Sequence, residues 1–153
     1  MRGPGEYRHD PTEGITNPDD LPAPKVKHRS RLRKKCRCPY CNHLATRHDT
    51  RQRPLHHLGD PASGRPVDIV LRYSVHYCCK CDKYFNVDTT DIAPPKSDYT
   101  NAVVDLAVRI VVDDGLPYRE ASWHLWRDHR VFVPFATIQN WVEAAGEKNR
   151  LAN

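Results

Sequence analysis

The chain has 153 residues, of which 39% are hydrophobic and 8% aromatic, with 13 prolines; this is thin material for one large core and fits two small units, one of them braced by a metal. The formal charge of +5 is uneven: residues 1–97 hold 18 Lys/Arg against 11 Asp/Glu, and residues 98–153 hold 6 against 8. A membrane span is excluded by the longest apolar stretch, residues 102–112, which Asp105 and Arg109 interrupt and which is too short to cross a bilayer.

The positive field of the N-terminal half points to an anionic partner. With no signal peptide at the N-terminus, cytoplasmic residence is expected, nucleoid-associated if that partner is DNA. Residues 1–35 are expected to be a disordered tail. Residues 1–24 are rich in Pro, Gly and Asp without periodicity, a composition that does not build a core. From Lys25 to Arg37 runs a basic series, ordinarily a solvated face. Beside a metal module it also reads as an arm that neutralises phosphates, with Arg31, Arg33, Lys34 and Lys35 as candidate DNA contacts.

Two cysteine knuckles follow, Cys38-Pro39-Tyr40-Cys41 and Cys78-Cys79-Lys80-Cys81. A tight turn with Cys at i and i+3 delivers two thiolates from one side, and two such turns close a tetrahedron around one structural Zn²⁺ per chain. A disulfide pair would need an oxidising compartment. A redox Cys-x-x-Cys would be expected once, at a helix start beside a βαβ pattern. Idle buried cysteines are a third alternative. Cys36 and Cys79 are spare, and His43, His48, His56, His57 and His76 are the nearest substitute ligands. The second knuckle lies between two alternating segments, residues 73–77 and 83–87, so strand, knuckle and strand form a zinc-ribbon hairpin over about 36–90. Residues 42–66, polar and broken by Pro54, Gly59, Pro61, Gly64 and Pro66, read as an inserted loop; the sheet restarts at Val67–Tyr73.

Residues 91–96, with Pro94-Pro95, read as a linker, and Ser97 as a helix N-cap. From Asp98, Val103, Leu106, Ala107, Ile110 and Val111 make one apolar stripe, ended by Gly115. A second helix is predicted over 118–129, burying Ala121, Leu125 and Trp126. A third is predicted over 135–148, burying Ile138, Trp141, Val142 and Ala145. The fold class expected is small α+β: metal-stabilised hairpins, then a three-helix bundle at 97–147 of helix-turn-helix build, with a tail at 148–153. In that arrangement the last helix shows Thr137, Gln139 and Asn140. Gln and Asn there can bond bidentately to adenine and Thr137 can contact phosphate or a thymine methyl, though such residues on a helix are usually only a solvated face. The net acidic charge of this segment speaks against DNA unless the N-terminal half supplies the phosphate contacts.

The order of these parts, with Cys78-Cys79-Lys80-Cys81-Asp82-Lys83-Tyr84-Phe85, Leu116-Pro117-Tyr118-Arg119-Glu120-Ala121 and Ala136-Thr137-Ile138-Gln139-Asn140-Trp141-Val142, resembles the N-terminal region of bacterial and archaeal insertion-sequence transposases over about residues 36–146. The resemblance implies binding of double-stranded DNA at terminal inverted repeats. It implies Cys38, Cys41, Cys78 and Cys81 as zinc ligands and Trp141 as an anchor of the recognition helix. The longer 42–77 insertion and the acidic bundle depart from that pattern. Such transposases use a later RNase H-like domain with three carboxylates and two metals, for which residues after 146 leave no room. Catalysis is therefore not expected, and the partners expected are duplex DNA with self-association or a separate catalytic subunit. A stand-alone transcriptional regulator of the same build, or a protein-interaction adaptor using the Trp123/Trp126 surface, are the alternatives. A hydrolase using the inserted histidines would need a metal with an open coordination position.

Overall fold

The computed structural model describes residues 17–152, with side chains through residue 147. Five strands make one sheet: β1 (Lys25–Arg31), β2 (Lys35–Arg37), β3 (Leu44–Asp60), β4 (Arg65–Cys78) and β5 (Lys83–Asn86). Their order is β1-β4-β3-β2, and β5 also pairs with β4. Three helices follow, α1 (Asn101–Val112), α2 (Tyr118–Asp128) and α3 (Phe135–Ala152). This is a small α+β chain. It divides into two compact units, one formed by residues 26–57 and 68–103, the other by residues 58–67 and 104–152 together with the described residues up to 25.

Two expectations fail, both for polar segments. The basic run is not a disordered arm from residue 25 onward, because Lys25–Arg31 is β1; the expected disorder of residues 1–16 lies outside the described residues. Nothing in the side-chain pattern of β1 marks a buried face. Its position is fixed at the ends instead, where Lys25 meets Asp60 at 2.6 Å and Arg31 meets Asp91 at 2.7 Å. The inserted loop 42–66 is also overturned, since most of it is β3, 17 residues long. Pro54 sits inside that strand without breaking it. The His56 N–H donates to Asp98 O and the His56 carbonyl accepts from Thr100, so residues 54 and 56 turn their backbone groups to the edge of the sheet. There a missing N–H costs no ladder bond.

In the first unit, Leu55 from β3 and Ile69 and Leu71 from β4 are buried with Ile92 and Ala93, and Tyr73 packs on them. The segment expected as a linker thus supplies core residues. The helix at Ser97 starts later than expected, at Asn101. Ser97 Oγ instead accepts from the Tyr99 N–H at 3.0 Å, while the backbone of residues 98 and 100 is taken by β3. Tertiary pairing outcompetes the cap.

In the second unit the predicted stripes are buried at Ala107 and Ile110 of α1, Ala121, Leu125 and Trp126 of α2, and Ile138 of α3, whereas Leu106 and Val111 of α1 are half-buried. Val103 at the start of α1 is buried too, within the first unit. Trp141, Val142 and Ala145 are half-buried. Six residues, 129–134, join α2 to α3, and Ser122 Oγ donates to Val133 O at 2.5 Å to hold that connection against α2. Gly59 lies against it: a Cβ there would fall 2.4 Å from Arg130 Cβ and 2.8 Å from His129 O.

Candidate metal centre

Both knuckles sit at hairpin tips. Lys35, Cys36 and Arg37 pair antiparallel with Thr46, Ala45 and Leu44, and the turn between them carries Cys38 and Cys41. Val75, His76, Tyr77 and Cys78 pair with Asn86, Phe85, Tyr84 and Lys83, and that turn carries Cys81. Since β3 and β4 are neighbours in the sheet, the two tips lie side by side. Each knuckle is followed by a residue in the left-handed region, Asn42 at φ 62° and Asp82 at φ 56°. Asn and Asp are among the few side chains that tolerate this conformation. In the first knuckle the Asn42 N–H donates to Cys38 O at 2.8 Å and the Cys38 N–H to His43 O at 2.8 Å, which folds the turn back on itself. The Tyr40 N–H points at Cys38 Sγ, 3.4 Å away.

The result is a four-sulfur cluster. Cys38 and Cys81 are 3.5 Å apart at Sγ, Cys41 and Cys78 also 3.5 Å, and all four sulfurs lie within 4.8 Å of one another. A tetrahedron with metal–sulfur bonds of about 2.3 Å has edges of about 3.8 Å, so this spacing fits one tetrahedral ion. The tetrad can hold a metal ion. The six cysteines are unbridged. The Cys81 N–H lowers the Cys78 thiol to about 7 in spite of its burial, whereas burial, then hydrogen bonding to Cys38 and Cys78, pushes Cys81 up to about 12. A thiolate therefore forms more readily at Cys78 than at Cys81, and a metal bound by the tetrad would displace any thiol proton remaining there.

Beneath the tetrad, His76 is fully buried and both its nitrogens are occupied. The Ala45 carbonyl can only accept, so Nδ1–H donates to it at 3.2 Å, while Nε2 pairs at 2.8 Å with Ser74 Oγ, which also accepts from the Arg33 N–H at 3.1 Å. The ring stacks on Phe85 at 5.4 Å. His76 is thus a support under the knuckles, not a ligand. Of the spare groups, Cys79 lies 4.0 Å from His43 Nε2 at the surface, and half-buried Cys36 sits in β2. His56 is taken by Asp68 at 2.9 Å and His57 by Thr100 at 2.7 Å.

The other sequence-selected residues do not converge on one place. Arg31 grips Asp91 with both terminal nitrogens, at 3.1 and 2.7 Å, and donates to Asp88 O as well. Arg33, Lys34 and Lys35 are exposed. On α3, Asn140 is exposed, Thr137 and Gln139 are half-buried, and Gln139 donates to Glu143 at 3.0 Å. Sequence reasoning missed the left-handed Asn42 and Asp82, although an Asn or Asp directly after the second Cys of each knuckle was a readable signal. The Ser74–His76 support had none.

No family model, curated protein or solved structure matches this chain. Among the described residues no helix is long and apolar enough to cross a membrane.

Proposed function

We propose that this chain is a DNA-binding protein in which Cys38, Cys41, Cys78 and Cys81 hold one structural zinc ion. One observation carries the reading. The unit built around the tetrad, residues 26–57 and 68–103, has 14 Lys/Arg against 6 Asp/Glu, a charge of +8, while the rest of the chain has 10 against 13. A fold whose brace is a metal and whose surface is this positive suits a polyanion, with affinity from phosphate neutralisation. An all-thiol tetrahedral set favours Zn²⁺ among common divalent ions. A closed shell of four thiolates has no place for water or substrate, so the metal braces and does no chemistry, and the reading assigns no catalytic step to this chain.

On this reading the paired hairpins are a zinc ribbon and α2–α3 a helix-turn-helix, with Thr137, Gln139 and Asn140 as base-reading candidates. Gln139 would have to leave Glu143 to do so. The resemblance to insertion-sequence transposases makes terminal inverted repeats the target class, and a stand-alone regulator is the same chemistry on another site. A protein-binding adaptor is favoured by different residues, Trp123, Phe132 and Phe135, which are 49%, 47% and 41% exposed on the acidic part of the chain. Selection from a random duplex library tests the proposal. Wild type should enrich a site, and replacing Gln139 and Asn140 by Ala should flatten that preference more than it lowers total DNA retained. No retention of any duplex at low salt would refute DNA binding and favour the adaptor.

A further inference from the structure

The hairpins that carry the tetrad also carry an array of rings, Tyr84 and His48 exposed and Tyr77 half-buried. Tyr84 of β5 is 58% exposed and meets Tyr77 of β4 at 4.9 Å between centroids. His48 of β3 meets the same ring edge-on at 5.0 Å. The array is fixed by the backbone: Tyr77 and Tyr84 are direct cross-strand partners, and the Tyr77 hydroxyl is tied to Asp82. Beside His48 opens a cleft of about 280 Å³ lined by Leu32, Arg47, His48, Asp49, Thr50 and Arg72. Arg47 and Arg72 are exposed. Asp49 is the one acid in that lining. Next to Tyr84, Lys83 lies over the exposed Tyr40 ring at 4.5 Å.

Rigid rings set in a positive surface have a specific complement. In duplex DNA the faces of the bases are hidden in the stack, and only phosphates and groove edges are offered. An unpaired strand offers both anionic phosphates and free π-faces, and proteins that bind it combine cationic grooves with aromatic platforms. We propose that this array binds single-stranded DNA, with a base stacked on Tyr84 and its phosphates drawn by the positive charge of the unit that carries the rings. The inference rests on the DNA-binding reading and extends it to a place where the two strands are separated.

The test uses the full zinc-loaded chain and two probes, a single strand of about 12 thymidines carrying one central 2-aminopurine and a duplex of the same length, a span within the usual site size of such modules. Wild type should bind the single strand and quench its fluorescence. Tyr84→Ala should weaken that binding on the order of tenfold and remove the quenching, while duplex affinity changes less than about twofold. Tyr84→Phe should behave as wild type, and His48→Ala, on a different strand, should repeat the loss in weaker form. Equal losses on both probes, or none on either, would overturn the stacking site. If the duplex binds and the single strand does not, this inference fails and the proposed function stands; if neither binds, both fail. Tighter binding of the matching uridine ribonucleotide strand would overturn the assignment to DNA.

Discussion

Replacing Cys78 by Ser tests the link between the tetrad and the fold. The buried cluster at that end of the first unit is Cys38, Ala45 and Cys78, with only Cys41, Cys81 and Phe85 packed on it. Apart from the sulfurs it contains one buried alanine and one partly buried ring. At roughly 25 cal/mol per Å² these leave the two hairpin tips little apolar stabilisation. On the proposed reading a metal held by the tetrad supplies it. Structural zinc binds zinc-finger peptides by about 10–16 kcal/mol; if the four thiolates share this evenly, losing one costs roughly 2.5–4 kcal/mol, or about two to three powers of ten in metal affinity. The serine hydroxyl would also be buried at a fully enclosed position, which adds about 1–3 kcal/mol if it stays unpaired. The other cluster, around Leu55, Ile69 and Leu71, contains no metal ligand. Hydrogen exchange should therefore show Cys78→Ser losing protection at residues 36–46 and 75–86, with residues 53–57 and 67–73 much less affected. Chelation of the wild type should give the same map. Unchanged protection at the knuckles, or loss spread evenly across both clusters, would refute the reasoning.

Three further outcomes are expected. Lys34→Ala and Lys35→Ala should each lower the slope of log affinity against log salt by about one for duplex DNA. Arg31→Ala should leave that slope unchanged, because its guanidinium is committed to Asp91, and should cost under about 1 kcal/mol of stability as an exposed ion pair does. Burial, then the charges of Lys27 and Arg29, hold His57 below its ordinary value. The unfolded chain then binds the proton more readily, so stability should fall as pH drops through about 6.5. Denaturant unfolding of His57→Gln should show a smaller fall than wild type over that range, and an equal fall would refute the assignment. Gly59→Ala should destabilise the second unit by about 1–3 kcal/mol through the clash with Arg130 and His129, lowering its melting temperature; an unchanged melting temperature would show that the 129–134 connection yields.

What the sequence made legible was what recurs at a fixed spacing. The i, i+3 cysteines named the tetrad, and the apolar stripes through Val103–Ile110 and Ala121–Leu125 named two helices, because one buried face forces periodicity. β1 and the middle of β3 carry polar residues on both faces, so no alternation marks them; they are strands through backbone pairing to β4, a long-range interaction. Pro54 and Gly59 looked like breakers, yet one lies on the sheet edge and the other is required by the close approach of Arg130. Around the tetrad, the rings of His48, Tyr77 and Tyr84 come from three strands and meet only once the register is set. Arg31, counted among DNA contacts from its place in a basic run, is instead engaged by an acid 60 residues further on.

The most direct test of the metal-braced account is thiol alkylation of the full chain, followed by mass spectrometry with and without a chelator. The account predicts one zinc per chain and rapid labelling of exposed Cys79, slower labelling of half-buried Cys36, and protection of Cys38, Cys41, Cys78 and Cys81 until zinc is removed. Equal labelling of all six cysteines, or protection that survives in a zinc-free chain, would contradict it.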